Sequence, residues 1–414
     1  MHISFVGLGY IGLPTAVVLA NAGHDVTGVD INESNVEKIN KGEVTIVEPG
    51  LEGALNEALE SGRFRATTEQ VHADAYVVAV PTPFQSDHSV DMTYIYAAAE
   101  GIAPHLEGGE LIVLESTSPP RTTEKMARRI LDLRPDLRAD VVDAEAANDA
   151  LLFAHCPERI LPGRALEELR SNDRIIGGMT PRATAAAREV YGSFCEGELL
   201  ESNAITAEMA KLTENSFRDV NIAFANELSV IAHDLGVDVW ELISLANHHP
   251  RVNILQPGPG VGGHCIAVYP WFIVAADREN SKLIRTAREV NDSKPLWVIE
   301  RVKEAIAATG ATELAILGLS FKANIDDLRE SPSLAIAESL ANELPDVRHH
   351  VVEPNIHHLP ARLAGFPNVT LSSIDDAVSA CKVCVLLVDH DEFRYIPREM
   401  LSGKTVIDTK GIWR

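Results

Sequence analysis

Residues 258–265 read Gly-Pro-Gly-Val-Gly-Gly-His-Cys, a glycine loop that ends in the thiol of Cys265. Glycines leave backbone N–H groups uncovered and let the chain lie close against a ligand. A thiolate at the end of such a loop can attack an aldehyde carbon. Loss of hydride from the adduct would give a thioester, and water would then release an acid. By composition alone a single cysteine is more often core filling, and it is the glycine loop that reverses this reading. Lys211 and Asn215 stand four residues apart in a helical stretch and so share a face. An amine beside an amide suits the stabilisation of an oxyanion or the holding of a water, although a lysine on a long helix is also an ordinary solvated side chain. Glu158, in Cys156-Pro157-Glu158-Arg159, is a candidate base or water-positioner. Without those neighbours it would read as a surface carboxylate.

A hydride needs an acceptor, and the N-terminus offers a place for one. Gly7, Gly9 and Gly12, with Tyr10 and Ile11 between them, form a GxGxxG turn after a short apolar strand and before a helix. Such a turn sets a pyrophosphate on a helix N-terminus. Asp30 closes the second strand 18 residues past Gly12, where it can accept from an adenosine ribose. A 2′-phosphate would be repelled there and no arginine directly follows, so NAD is favoured over NADP. Pro81-Thr82-Pro83 and Glu115-Ser116-Thr117 leave two further strands on the same expected rim and read as cofactor-lining loops.

The elements that must position these groups follow from the pattern. Strands at His2 to Val6, Asp25 to Val29, Tyr76 to Val80 and Leu111 to Leu114, with a helix from Leu13 to Ala22, predict a doubly wound α/β sheet. Residues 206–235 are free of Gly and Pro and predict one long helix. A helix covers Lys282 to Asn291 and resumes near Pro295. The last third alternates again: strands at Leu314 to Leu317, Arg348 to Val352, Val383 to Val388 and Thr405 to Ile407, and a helix from Pro332 to Leu344 capped by Ser331. The fold class is α/β: two Rossmann-like doubly wound domains joined by a long central helix and a helical dimerisation region. The expected boundaries are 1–200, 201–300 and 301–414.

The totals exclude several classes. The 414 residues carry a net charge of −24, which argues against nucleic acid or an acidic membrane as a general partner. No run approaches the ~18 apolar residues of a membrane span. No secretory signal is visible, which points to the cytoplasm. Five cysteines make no disulfide framework, and Cys381 and Cys384 read as core packing, so no metal site is expected.

Taken together, the segments resemble the UDP-glucose/GDP-mannose dehydrogenase family from end to end. The most specific are CPERILPG from Cys156, NDRIIGGMTP from Asn172, TAEMAKLTENSFRDVNIAFANEL from Thr206, HPRVNILQPGPGVGGHCIAV from His249 and FKANIDDLRESP from Phe321. His264 before the cysteine is similar to the N-acetylhexosamine branch. The resemblance implies NAD-dependent four-electron oxidation of a UDP-N-acetylhexosamine at C6 to the uronate. UDP-N-acetyl-D-mannosamine is the leading substrate, and its epimers and UDP-glucose are alternatives. It implies Cys265 as the nucleophile that carries the thioester, Lys211 with Asn215 at the oxyanion, and Glu158 and Thr117 in water and proton handling. Substrate contacts are implied for Glu158, Arg159, Lys211, Asn215, Arg251, Asn253, Gly262, His264 and Lys322. Cofactor contacts are implied for Gly7, Gly9, Tyr10, Ile11, Gly12, Asp30, Pro81, Thr82, Thr117 and Arg329. UDP would sit in the last domain and the long helix would build a homodimer.

One position departs from that pattern. The family carries an aspartate four residues after the cysteine, and this chain has Tyr269. A phenol, with an ordinary pKa of roughly 10, is neutral at pH 7 and cannot supply that charge. Impaired turnover is therefore expected, unless a neighbouring carboxylate compensates or the substitution reflects a shifted substrate or an inactive variant. Two rivals stay open: a single-step β-hydroxyacid dehydrogenase, and a UDP-sugar-binding homologue that has lost catalysis.

Overall fold

The computed structural model describes residues 1–46, 48–85, 87–142, 147–161 and 163–413, except for the side chains of His264 and Cys265. Two compact units result, Met1–Thr213 and Glu214–Arg414. The division falls inside one continuous helix, Ala204–Leu235.

The first unit holds eight strands: β1 (His2–Val6), β2 (Asp25–Val29), β3 (Phe64–Thr67), β4 (Ala75–Val78), β5 (Leu111–Leu114), β6 (Leu152–His155), β7 (Arg174–Gly178) and β8 (Leu199–Asn203). They lie in the order β3-β2-β1-β4-β5-β6-β7-β8. All pairs are parallel except β6 with β7. The two-residue period of a strand divides its side chains between the faces of the sheet. Ala75, Val77, Leu111 and Val113 enter one core, while Tyr76, Val78, Ile112 and Leu114 enter another. Both faces are covered, as a parallel sheet requires. The strand order reverses between β1 and β4, and a crevice at such a switch point is where ligands bind.

The second unit repeats the plan with β9 (Glu313–Leu317), β10 (Arg348–Val352), β11 (Val369–Leu371), β12 (Val383–Leu386) and β13 (Thr405–Asp408). Its five-stranded sheet has the order β11-β10-β9-β12-β13 and is parallel throughout. Cys381 and Cys384 are free and buried in a core with Leu317 and Phe393. Burial pushes their thiols up to about 12 and about 11. Ser331 caps the helix Pro332–Glu343 by accepting from Leu334 N–H at 3.3 Å.

The structure corrects one helix and adds five strands. The helix Lys282–Thr309 does not pause before Pro295 but runs through it. Proline removes one bond, to the carbonyl four residues earlier. The turns beyond it bury Val298, Ile299, Val302 and Ile306 in the second unit's core, which outweighs that loss. Strands β3, β7, β8 and β11 carry too few apolar residues, or too mixed a pattern, to stand out in the sequence, whereas β6 lies in an apolar run, residues 150–154, that is not among the predicted strands.

Candidate active site

In the first unit the predicted cofactor loops meet at the carboxyl ends of β1, β2, β4 and β5. Gly7 adopts φ +98, and a Cβ there would stand 2.5 Å from Ala79 O; a Cβ on Gly12 would stand 1.9 Å from Gly7 O. Both glycines are required by the turn itself. Gly9 differs, because a Cβ there would meet nothing within 4 Å. Its bare backbone faces open space, which fits the close approach of a pyrophosphate. Asp30 accepts from Leu8 N–H and from Asn32 N–H, each at 2.9 Å. A carboxylate has about four acceptor directions, so capacity for a ribose hydroxyl remains. Thr82 donates to Thr117 O at 2.8 Å, and Ser116 donates to Val80 O at 2.7 Å, which ties the second loop to the third. Pro81 is exposed on the same rim, and Ile11 is half-buried at the start of the first helix. Tyr10 donates to Glu48 at 2.9 Å, and the same carboxylate accepts from Gly163 N–H and Ala165 N–H. The glycine turn is thereby joined to the segment that carries Glu158.

Glu158 is not a surface carboxylate. It is buried, accepts from Arg159 N–H at 2.5 Å and pairs with Arg174. The Arg159 side chain donates to Asp173 O at 3.3 Å. Arg174 also faces Glu115 at 3.5 Å and stacks on the Tyr191 ring at 4.7 Å. Burial alone would lower the Arg174 pKa, but Glu158 and Glu115 hold it charged and above its ordinary value. Burial pushes Glu115 far above the usual carboxylate range. Burial also pushes the neighbouring Cys156 thiol up, so that cysteine is inert.

In the second unit the cysteine loop is backed by the segment 321–332. A Cβ on Gly262 would meet Glu330 O and Pro332 Cδ at 2.6 Å and Phe321 Cβ at 2.7 Å, so only glycine fits. Lys322 follows Phe321 and is exposed, as is Arg329, which pairs with Asp327. Ahead of the loop, Asn247 bonds to Ile254 in both directions and closes off a turn that carries the exposed Arg251 and Asn253. His264 and Cys265 open the helix His264–Ala276, but their side chains lie outside the described residues. Tyr269 is buried in that helix, its ring 5.7 Å from that of Phe272.

Both ends of the loop are pinned. At its start Gly258 N–H donates to Asn226 Oδ1 at 2.9 Å. Just past Cys265, Pro270 has no N–H for the carbonyl of Ile266, four residues back. Arg288 donates to that carbonyl at 3.5 Å. Arg288 is fully buried and donates to Asp219 at 2.5 Å, and Asn291 links Asp219 to Asn226. Burial pushes Asp219 up to about 6, against the pull of Arg288. Lys211, Asn215 and Asp219 recur every four residues on the helix Ala204–Leu235. Among the described residues Asn215 Nδ2 and Asp219 Oδ2 are buried without a hydrogen-bond partner. Buried polar atoms are rarely left so, and these two leave hydrogen-bonding capacity on one face of the helix.

Comparison with known proteins decides the family. Residues 1–195 match the NAD binding domain of the UDP-glucose/GDP-mannose dehydrogenase family, 205–293 its central domain and 315–414 its UDP binding domain. The chain belongs to the UDP-glucose/GDP-mannose dehydrogenase family. It is 56% identical to the UDP-N-acetyl-D-mannosamine dehydrogenase of Salmonella typhi, over 100% of this chain and 99% of that one. It is 55% identical to the NDP-N-acetyl-D-galactosaminuronic acid dehydrogenase of Ralstonia nicotianae, over 99% and 96%. A solved UDP-N-acetyl-mannosamine dehydrogenase from S. aureus superposes with a TM-score of 0.86 at 40% identity, over 100% of this chain and 95% of that one.

Three further groups of this family member stand outside the residues predicted from the sequence: Asp219, Arg174 and Lys410. Asp219 continues the four-residue series of Lys211 and Asn215, and that spacing was the signal for it. Arg174 lies inside the NDRIIGGMTP segment, where nothing local distinguishes it from a surface arginine. Lys410 Nζ comes within 3.8 Å of where a Cβ on Gly258 would stand, and it pairs with Asp389. Only the fold brings that C-terminal cation beside the glycine loop. Among the described residues no group of three or more His, Cys, Asp or Glu could hold a metal ion. No helix of the described residues is long and apolar enough to cross a membrane.

The pins at the loop ends make a test. Asn226→Ala leaves Gly258 N–H unpaired in the interior and should cost about 1–3 kcal/mol in urea unfolding. Dehydrogenase turnover should fall about tenfold or more, because misplacement by about 1 Å can cost as much as 100-fold. A variant with unchanged stability and rate would show that the loop holds itself.

Proposed function

We propose that this chain oxidises UDP-N-acetyl-D-mannosamine at C6 to UDP-N-acetyl-D-mannosaminuronate in two NAD-dependent steps, for the synthesis of a surface polysaccharide. The observation that carries the reading is the pinned glycine loop ending at Cys265, in a chain identical at more than half its positions to a dehydrogenase named for that substrate. Segments 1–200, 201–300 and 301–414 serve as the NAD-holding, helical and UDP-sugar-holding parts. The glycine turn and Asp30 hold the cofactor, with Pro81, Thr82, Thr117 and Arg329 contributing. When bound, NAD supplies the hydride acceptor for both oxidations.

Oxidation of the C6 alcohol leaves an aldehyde, and the Cys265 thiolate adds to its carbon. The second oxidation turns the thiohemiacetal into a thioester. Lys211 and the unpaired Asn215 amide stabilise the oxygen that carries the developing charge. Glu158 and Thr117 direct the water whose attack frees the acid and returns the thiol. Arg251, Asn253, Gly262, His264, Lys322 and Arg159 line the path of the UDP-sugar. On this reading the enzyme works in the cytoplasm, where NAD and nucleotide sugars are found.

The active unit on this reading is a homodimer. Phe217, Phe224 and Ile231 recur every seven residues on the long helix and are 69%, 51% and 47% exposed. Monomeric proteins seldom leave such a stripe in water, and a second copy of the same helix would cover it. Tyr269 supports a second, narrower reading of the same site, a slowed enzyme. The phenol is buried in the helix that begins at His264 and brings no negative charge to the place where the family has a carboxylate.

Three measurements follow. UDP-N-acetyl-D-mannosamine should yield two NADH per sugar, and Cys265→Ser should stop before the acid; full uronate formation by that variant would refute the thioester route. Tyr269→Asp should raise steady-state NADH production, by as much as about 100-fold if proton transfer limits the rate, and equal rates would dispose of the impairment. Phe224→Asp should shift the mass seen by light scattering from dimer to monomer. A variant that stays dimeric would exclude this helix face as the interface.

A further inference from the structure

Beneath the segment that carries Glu158, two carboxyl groups share one guanidinium. Arg174 stands between Glu158, its pair, and Glu115, 3.5 Å away at the carboxyl end of β5. All three are buried. The other groups facing Glu115 are Tyr191, which donates to it at 3.1 Å, Thr15, which donates at 3.4 Å, and Cys156. Tyr191 and Cys156 are both held neutral by burial, so neither adds a charge. One guanidinium neutralises one carboxylate, and a second bare anion in this interior would stand unpaired at great cost.

The donors decide which carboxyl is ionised. Glu158 has the Arg174 guanidinium in direct contact and the Arg159 N–H at 2.5 Å. Glu115 has only longer contacts, from a phenol, a hydroxyl and the far side of the guanidinium. Resting on the reading of Glu158 as the water-directing group, we propose that Glu115 is its positioning residue. It is a neutral carboxylic acid, and so leaves Glu158 as the single anion on the guanidinium that the two carboxyls share.

The arrangement sets a pH dependence. Burial raises the Glu115 pKa, so its proton stays on through neutral pH and leaves only on the alkaline side. Once it leaves, two anions face one guanidinium and Glu158 is pushed out of line. Turnover should therefore fall as pH rises through that ionisation.

The test uses the full chain and an infrared signal of a buried protonated carboxyl, followed with pH beside the kcat profile for NADH formation. Wild type should show the signal at neutral pH and lose it, together with activity, on alkalinisation. Glu115→Ala should lower kcat by at least about tenfold. Glu115→Gln, which keeps the size and a donor but cannot ionise, should restore most of that loss, lack the signal and lose the alkaline fall. An infrared signal unchanged in Glu115→Gln, or an alkaline limb identical to wild type, would overturn the proposal. Full turnover in Glu158→Gln with the signal intact would overturn the Glu158 reading, and with it the positioning role. The intact signal separates that outcome from a failure of the neutral Glu115.

Discussion

A guanidinium taken out of water has to be neutralised where it stands, and each unit of this chain is organised around one. Arg174 lies between Glu158 and Glu115 in the first unit; Arg288 lies between Asp219 and Asp292 in the second. Removing one partner from such a buried pair typically costs about 3–5 kcal/mol, because the charge left behind has no water. That cost restricts the elements carrying the partners to one arrangement. In the first unit it sets the ends of β5 and β7 and the segment after β6 in register. In the second it couples the helices Ala204–Leu235 and Lys282–Thr309 to the backbone beyond the cysteine.

The same backbone problem is solved twice with different outcomes. An acid at the end of the second strand of each sheet catches the N–H groups of the loop after the first strand. Asp30 does so for Leu8, and Glu353 for Leu319 and Ser320. Asp30 is half-buried and keeps acceptor capacity on a rim with an uncovered glycine beside it. Glu353 is 3% exposed and also bonds to His390, so its capacity is used within the protein. Burial together with the bond to His390 thus separates Glu353 from the more open Asp30. The cysteine helix shows a related economy of donors: Pro270 removes a helical hydrogen bond, and the freed carbonyl becomes the handle by which Arg288 holds the start of that helix.

Much of this was readable from residue order, because the signals were local. The glycine turn, the acid 18 residues on, the Ser331 cap and the long helix each depend on neighbours in the chain, and the apolar runs of β1, β2, β4 and β5 declare a buried parallel sheet. The glycine loop from Gly258 to Cys265 and the lysine–asparagine spacing were legible for the same reason. Less of the site's electrostatics could be read. Glu158 was recognised as a carboxylate in a telling segment, yet its burial and its arginine were not visible. The path of the helix through Pro295 was also hidden, because it is decided by what Val298 and Ile306 pack against.

Residue types and spacings by themselves determined the α/β class, the cofactor turn and the candidate nucleophile, since each is a statement about neighbours along the chain, whereas Tyr269 stands out only against the family's pattern. Tertiary structure alone decided which charges are buried and with whom they are paired. Arg174 and Glu115 are 59 residues apart, as their numbers show, and Arg288 and Asp219 are 69 apart. Desolvation depends on what surrounds a group in space, and no local pattern encodes it.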